Sequence, residues 1–253
     1  MRVGLITTVC VLLLCGSCCK HECPGRPDSA SPITMVAGYT DTPVKVDGKL
    51  DDPAWEKAVV YKMNLPADHA AKGRKLQAGG EVRLAWDDRY FYVAVVFQDY
   101  DIVAEGDADQ LHHYRLGDLC ELFLKPNDQT WYWELYVTPR GKKSSFWFPG
   151  RGRGLPSCFK YKCGLKVAAR CDGTLNDWRD KDKGWTGEMA MPISNLTARG
   201  EKFGPDADWR ILVARYNYDR YSAYGGPELS ATSPLSIASY HLLEEYAILK
   251  LQK

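Results

Sequence analysis

Between Gly117 and Gly141 the chain reads GDLCELFLKPNDQTWYWELYVTPRG, two largely apolar runs joined by a polar turn. Carboxylates lie inside both runs, at Asp118, Glu121 and Glu134, and Trp131, Tyr132, Trp133 and Tyr136 crowd around them. A carboxylate accepts two hydroxyl hydrogen bonds at once, and charge-assisted bonds are the stronger kind. Aromatic rings, in turn, pack on the C–H patches of a pyranose. Acids and rings held rigidly on one strand face therefore match what recognition of a polyhydroxylated ligand requires. The plainer reading is that the acids are solvated and the rings only stack across strands.

Strand side chains point alternately to opposite faces. Over 131–138, Trp133, Leu135 and Val137 share a face suited to a core, and Tyr132, Glu134 and Tyr136 share the other. In the partner run Glu121 lies between Leu119 and Phe123, opposite Cys120, Leu122 and Leu124. Pairing of the two runs puts Glu121 and Glu134 on one face, which we expect to be open to solvent. Around them the chain reads as about nine or ten short strands with turn chemistry between. VKVDGKLDDPAW turns at Asp47-Gly48, then offers Asp51 or Asp52 as helix cap with Pro53 at the first position. EVRLAWDDRYFYVAVVFQD is a hairpin whose second strand, Tyr90 to Phe97, is apolar enough to be buried on both faces. CGLKVAAR, GWTGEMAMP, WRILVARYNYD and EEYAILKLQ supply further strands, and NLTARG one helical turn. The expectation is an all-β fold, a β-sandwich of mainly antiparallel strands with one or two short helices.

The 253 residues suffice for one large domain, and 22 Gly and 14 Pro suit short strands and turns. A net charge of +1 provides no electrostatic case for nucleic acid or for an acidic partner. The first residues, MRVGLITTVCVLLLCGSCC, carry one Arg, an apolar run too short to span a bilayer, and small residues before cysteine. We read 1–17 as a lipoprotein signal peptide and Cys18 as the lipidated residue, with Cys19 or Cys15 in reserve and ordinary secretion as the alternative. One diacylated cysteine tethers a protein to a membrane without spanning it. Residues 18–38 read as anchor and flexible tether, and 39–253 as the single sandwich domain. Export permits disulfides among Cys120, Cys158, Cys163 and Cys171, in pairings sequence does not choose.

Other stretches compete for a role. Arg151 and Arg153 in FWFPGRGRGLP could grip an anionic sugar or form a solvated basic turn. QDYDIVAEGDAD could hold calcium, although its spacing fits no EF-hand. Trp178 in NDWRDKDKG is a candidate rim contact. No Ser-centred elbow, HExxH or paired catalytic motif is present, so catalysis is not expected. Met63, Met189, Met191 and His241 keep open a non-covalent haem domain, but core packing accounts for the methionines.

Four stretches, VDGKLDDPAW, RLAWDDRYFYVAVVFQD, the run from Gly117 to Gly141, and CDGTLNDWRDKDKGWTGEMAMPISNL, resemble the family 9 carbohydrate-binding module and its relatives in bacterial secreted proteins. So does the carboxy end, TSPLSIASYHLLEEYAILKL. The resemblance implies a non-catalytic β-sandwich that binds a polysaccharide or oligosaccharide, with calcium possible. It implies a sugar-contacting role for Glu121, places Tyr114 near one of two Trp residues that sandwich the sugar, and puts Glu134 and Tyr136 on a strand of further polar contacts. Thr232, before Ser233-Pro234, stands where the second Trp is expected. The expected ligand-binding set is Tyr114, Asp118, Glu121, Tyr132, Glu134, Tyr136, Arg151 and Trp178. The expected setting is the bacterial cell envelope, on an outer-membrane lipoprotein supporting polysaccharide breakdown. The alternative is a structural or protein-interaction sandwich without a sugar site.

Overall fold

A computed structural model describes residues 32–253. The expected signal peptide, Cys18 and most of the expected tether fall on residues outside those described. Twelve strands form one mixed sheet: β1 (Thr34–Tyr39), β2 (Tyr61–Lys62), β3 (Gly80–Trp86), β4 (Tyr90–Gln98), β5 (Leu119–Pro126), β6 (Tyr132–Val137), β7 (Lys143–Phe148), β8 (Lys166–Asp172), β9 (Gly184–Pro192), β10 (Trp209–Asn217), β11 (Glu228–Ala231) and β12 (Ala247–Gln252). The order is β7-β6-β5-β10-β12-β1-β3-β4-β9-β8, with β11 beside β10 and β2 beside β3. Short helices α1 (Pro53–Lys57), α2 (Ala67–Ala71), α3 (Leu155–Cys158) and α4 (Ile193–Leu196) decorate it.

The sheet folds over on itself as a sandwich. Cys120, Leu122 and Leu124 of β5 and Trp133, Leu135 and Val137 of β6 join one core with Phe91, Val93 and Val95 of β4 and Trp185 and Met189 of β9. Gly187 of β9 lies so near β6 that a Cβ there would sit 3.3 Å from Val137. β4 is central, as expected, between β3 and β9. Residues 34–38, expected to belong to the tether, are part of a strand instead. Thr34–Tyr39 is β1, parallel to both β12 and β3, with Met35 and Ala37 buried. Its short alternation was masked by neighbouring polar and small residues.

Three acids hold turns in place. Glu188 of β9 accepts from the amides of Asp47 (2.8 Å) and Gly48 (2.6 Å) and from Trp55 Nε1 (2.9 Å). It thereby pins the Asp47-Gly48 turn and α1 to the sheet. Gly48 takes φ +79°, and an added Cβ would sit 2.9 Å from the Ala169 backbone, so only glycine fits comfortably. Asp52 occupies the cap position of α1, but its carboxylate accepts from Lys45 N instead of capping the helix. Asp87 closes the β3–β4 turn by accepting from the amides of Arg89 and Tyr90, each at 2.7 Å, and from the Tyr92 hydroxyl at 2.8 Å.

Candidate functional site

The strand parity places Glu121, Phe123, Tyr132, Glu134 and Tyr136 together on the outer face of β5 and β6, with Glu121 paired to Tyr136 and Phe123 to Glu134 in register. That face is not open to solvent. It forms a second apolar cluster with Phe146 and Phe148 of β7 and Leu212 and Ala214 of β10. Chain segments 155–159 and 235–246 lie over it, contributing Leu155, Cys158, Phe159, Leu235, Tyr240 and Tyr246. Glu121 is 2 % and Glu134 3 % exposed. The expectation of an exposed docking surface is therefore overturned at these residues: the alternation identified a common face, but segments distant in sequence cover it.

The two covered acids sit around one phenol. The Tyr136 hydroxyl donates to Glu134 Oε1 and also lies in hydrogen-bonding reach of Glu121. Burial pushes the Glu134 carboxyl up to about 7. Burial and then the Glu134 charge push Glu121 well above the usual carboxylate range. Glu134 Oε2 has no hydrogen-bond partner among the described residues. Its neighbour is His241, whose Nε2 stands 3.8 Å away and whose Nδ1 is 2.8 Å from the Tyr132 hydroxyl. The His241 side chain is 42 % exposed, so it forms the solvent-facing plug of this buried group. Burial also lowers its pKa. Tyr132, itself 1 % exposed, stacks on Phe148 with centroids 4.7 Å apart.

Other expected contacts are placed differently. Asp118 is 1 % exposed and accepts from the amides of Val103 (2.7 Å) and Tyr218 (2.6 Å), tying two loops to the start of β5. Both of its oxygens are thus occupied, and it is no free ligand contact. Tyr114 packs at the margin of the outer cluster, 6.4 Å from Tyr216. Thr232 is buried, and its hydroxyl accepts from Val213 N at 3.1 Å. No aromatic wall stands at that position. Trp178, 65 % exposed, belongs to a separate loop where Arg220 lies 5.0 Å over its ring. Asp99 of the acidic stretch binds the buried Arg215 at 2.9 Å, and Asp101 accepts from Arg220 N at 3.0 Å. Among the described residues no three acidic, His or Cys side chains converge as a cation site. Met63, Met189 and Met191 are core residues. Cys120, Cys158, Cys163 and Cys171 are free thiols.

The outer face opens at one end. Lys125, next but one after Phe123, pairs in register with Arg210 of β10. Beyond them is a cleft of about 480 Å³ whose other walls include Asn127, Gln129, Thr130, Arg151, Leu243 and Glu244. That volume lies within the range of small-ligand sites. Arg210 Nε donates to Asn127 Oδ1 at 2.8 Å, and Lys125 Nζ donates to the carbonyls of Pro126 and Asn127, each at 3.0 Å. Arg151 reaches across to Glu244 at 3.0 Å. Of these residues only Arg151 was singled out from the sequence. Lys125 and Arg210 were within reach of the same parity argument, since each continues an outer-face row. His241 and Glu244 were not, because no local pattern joins them to β6.

Residues 46–138 match the family model described as Carbohydrate family 9 binding domain-like. The resemblance is borne out over that span, which contains β5 and β6 but neither Arg151, Arg210 nor the covering segment 235–246. Solved structures share the fold. A protein of Bacteroides uniformis, provisionally described as carbohydrate-binding, superposes with TM-score 0.68 at 10% identity over 88% of this chain and 100% of its own. A family 9 carbohydrate-binding module of Caldicellulosiruptor kristjanssonii in complex with cellotriose gives TM-score 0.58 at 14% identity, covering 87% of this chain and 93% of that one. The structure of such a module from the same organism with glucose gives 0.57 at 13%, covering 87% and 95%. No functionally curated protein matches the sequence.

Proposed function

We propose, from a fold shared with family 9 carbohydrate-binding modules, that this protein binds a glycan without transforming it. The observation that carries the reading is the open cleft of about 480 Å³ continuous with the acid-bearing face of β5 and β6. The Gln129 amide offers a donor and an acceptor for hydroxyls there and the Thr130 hydroxyl an acceptor, and the polar rim suits a wet, reversible ligand. His241, hydrogen-bonded to Tyr132, stands over Glu134. Glu121 and Glu134 are buried, so hydroxyl recognition falls to the cleft residues.

The wider setting is part of the same proposal: export, a lipid anchor at Cys18, and glycan capture at the envelope in support of polysaccharide breakdown. Signal composition supports it, and globomycin treatment tests it, since a precursor that matures normally under the drug is not a lipoprotein. The second reading, a sandwich that serves structure or protein contact alone, is favoured by the burial of Glu121 and Glu134. Glycan-array screening of the detergent-solubilised full chain, followed by calorimetry, separates the two. Saturable binding that is lost on heat denaturation supports the first. Absence of binding to every neutral and acidic oligosaccharide refutes it.

A further inference from the structure

The charged lining of the cleft has a sign. Lys125, Arg151 and Arg210 bring three cations to one mouth, where the lining carboxylate is that of Glu244, itself paired with Arg151. We propose that the cleft is built for an acidic glycan, one bearing uronate or sulfate groups. This rests on the glycan-binding reading and adds the substrate class.

The reasons are geometric. Arg210 uses Nε on Asn127, and its two Nη groups meet no acceptor among the described residues. A planar guanidinium with free Nη donors is suited to a bidentate hold on a carboxylate or sulfate. Arg151 is 53% exposed and held at the mouth by an ion pair on the surface, where exchange of one anion for another costs little. Lys125 is partly buried beside Arg210, and burial and then the neighbouring guanidinium lower its pKa. An incoming anion relieves that crowding. The acids close by are Asp128 and Asp208, which favour the Lys125 charge. Asp208 is engaged by Asn127 Nδ2 at 2.8 Å, and both acids line a separate cleft across the β5–β6 turn, near Trp131 and Arg199. The Gln129 amide and the acceptor side of the Thr130 hydroxyl, which donates to the Pro149 carbonyl at 3.0 Å, leave polar partners for ring hydroxyls, more than a bare anion needs. The charge concentration is invisible in the net charge of +1, because the cations come from three separate segments. The expectation that no acidic partner is favoured holds for the chain as a sum and not for this cleft.

Calorimetry on the solubilised full chain tests this with a neutral cello-oligosaccharide, an oligogalacturonate and a sulfated oligosaccharide of matched length, at low and at physiological salt. We expect at least one acidic ligand to bind about tenfold or more tighter than the neutral one, a gap that narrows with salt. Arg210→Gln and Arg151→Gln each weaken the acidic ligand about tenfold, a larger factor than either costs the neutral one. Arg151→Gln, at an exposed site, keeps the test valid if Arg210→Gln does not fold. Equal binding of neutral and acidic ligands overturns the acidic assignment and leaves glycan binding standing. An acidic preference untouched by either substitution overturns the placement. Binding of neither class overturns both readings. The two acidic arms distinguish carboxylate from sulfate.

Discussion

Replacing Glu134 by Gln perturbs one group in the buried acid pair and has a definite pH signature. In the folded protein burial raises this carboxyl from an ordinary 4.5 to about 7. Between those pH values the native state holds a proton that the unfolded chain has released. Native stability therefore falls as pH rises through the window, with nothing lost below the unfolded value and the full loss present above the folded one. A shift of this size corresponds to about 3 kcal/mol, and Glu121 is displaced in the same direction. Gln cannot ionise, and its Oε1 can still accept from Tyr136. Its amide nitrogen, beside His241, adds a pH-independent cost of about 1 kcal/mol if left without an acceptor. We expect Glu134→Gln to match or slightly destabilise the protein at about pH 5 and below, and to stabilise it by about 2–3 kcal/mol near pH 8, roughly 5–10 °C in melting temperature for a domain of this size. Urea unfolding of both proteins across that range measures it. Parallel stability curves for wild type and variant refute the argument, because they mean Glu134 titrates as it does when unfolded.

Three further outcomes follow from buried groups. His241→Ala should admit water to Glu134 Oε2, return its pKa by roughly one unit and shrink the pH-linked loss by about 1.4 kcal/mol; an unchanged pH slope would show that His241 does not seal the acid. Arg215→Met leaves Asp99 without its guanidinium partner and should cost about 3–5 kcal/mol in urea unfolding, so a loss below about 1 kcal/mol counts against the buried pair. Glu188→Ala leaves two amides and the Trp55 indole without their acceptor and should cost about 3 kcal/mol, with faster amide exchange at Asp47 and Gly48 as the local readout.

Much of the fold was legible because its signals are local. Period-two alternation assigned Trp133, Leu135 and Val137 to the core and Tyr132, Glu134 and Tyr136 to the other face, and both assignments hold. Asp-Gly and Asp-Asp turns marked the hairpin and the entry to α1. The exceptions have local causes too. β1 is short and borders a polar segment, and it joins the sheet through parallel partners from both ends of the domain. Asp118 reads as one more acid beside aromatics, yet its bonds run to Val103 and Tyr218, fifteen and one hundred residues away along the chain.

Residue order alone thus determined the strand faces, the turns and the shared side of Glu121 and Glu134, since backbone geometry dictates each from near neighbours. Tertiary structure decided whether that side meets water. Tyr240 and Tyr246 close it by hydrogen bonds made only after the chain has returned over β5 and β10, including Tyr240 to the Arg215 carbonyl at 2.6 Å. It also gathered Lys125, Arg151 and Arg210 from three segments into one mouth. Alternation says which way a side chain points and carries no information on what arrives above it. For this reason the acid pair is visible in the sequence, whereas its burial and the cationic cleft beside it emerge only from packing.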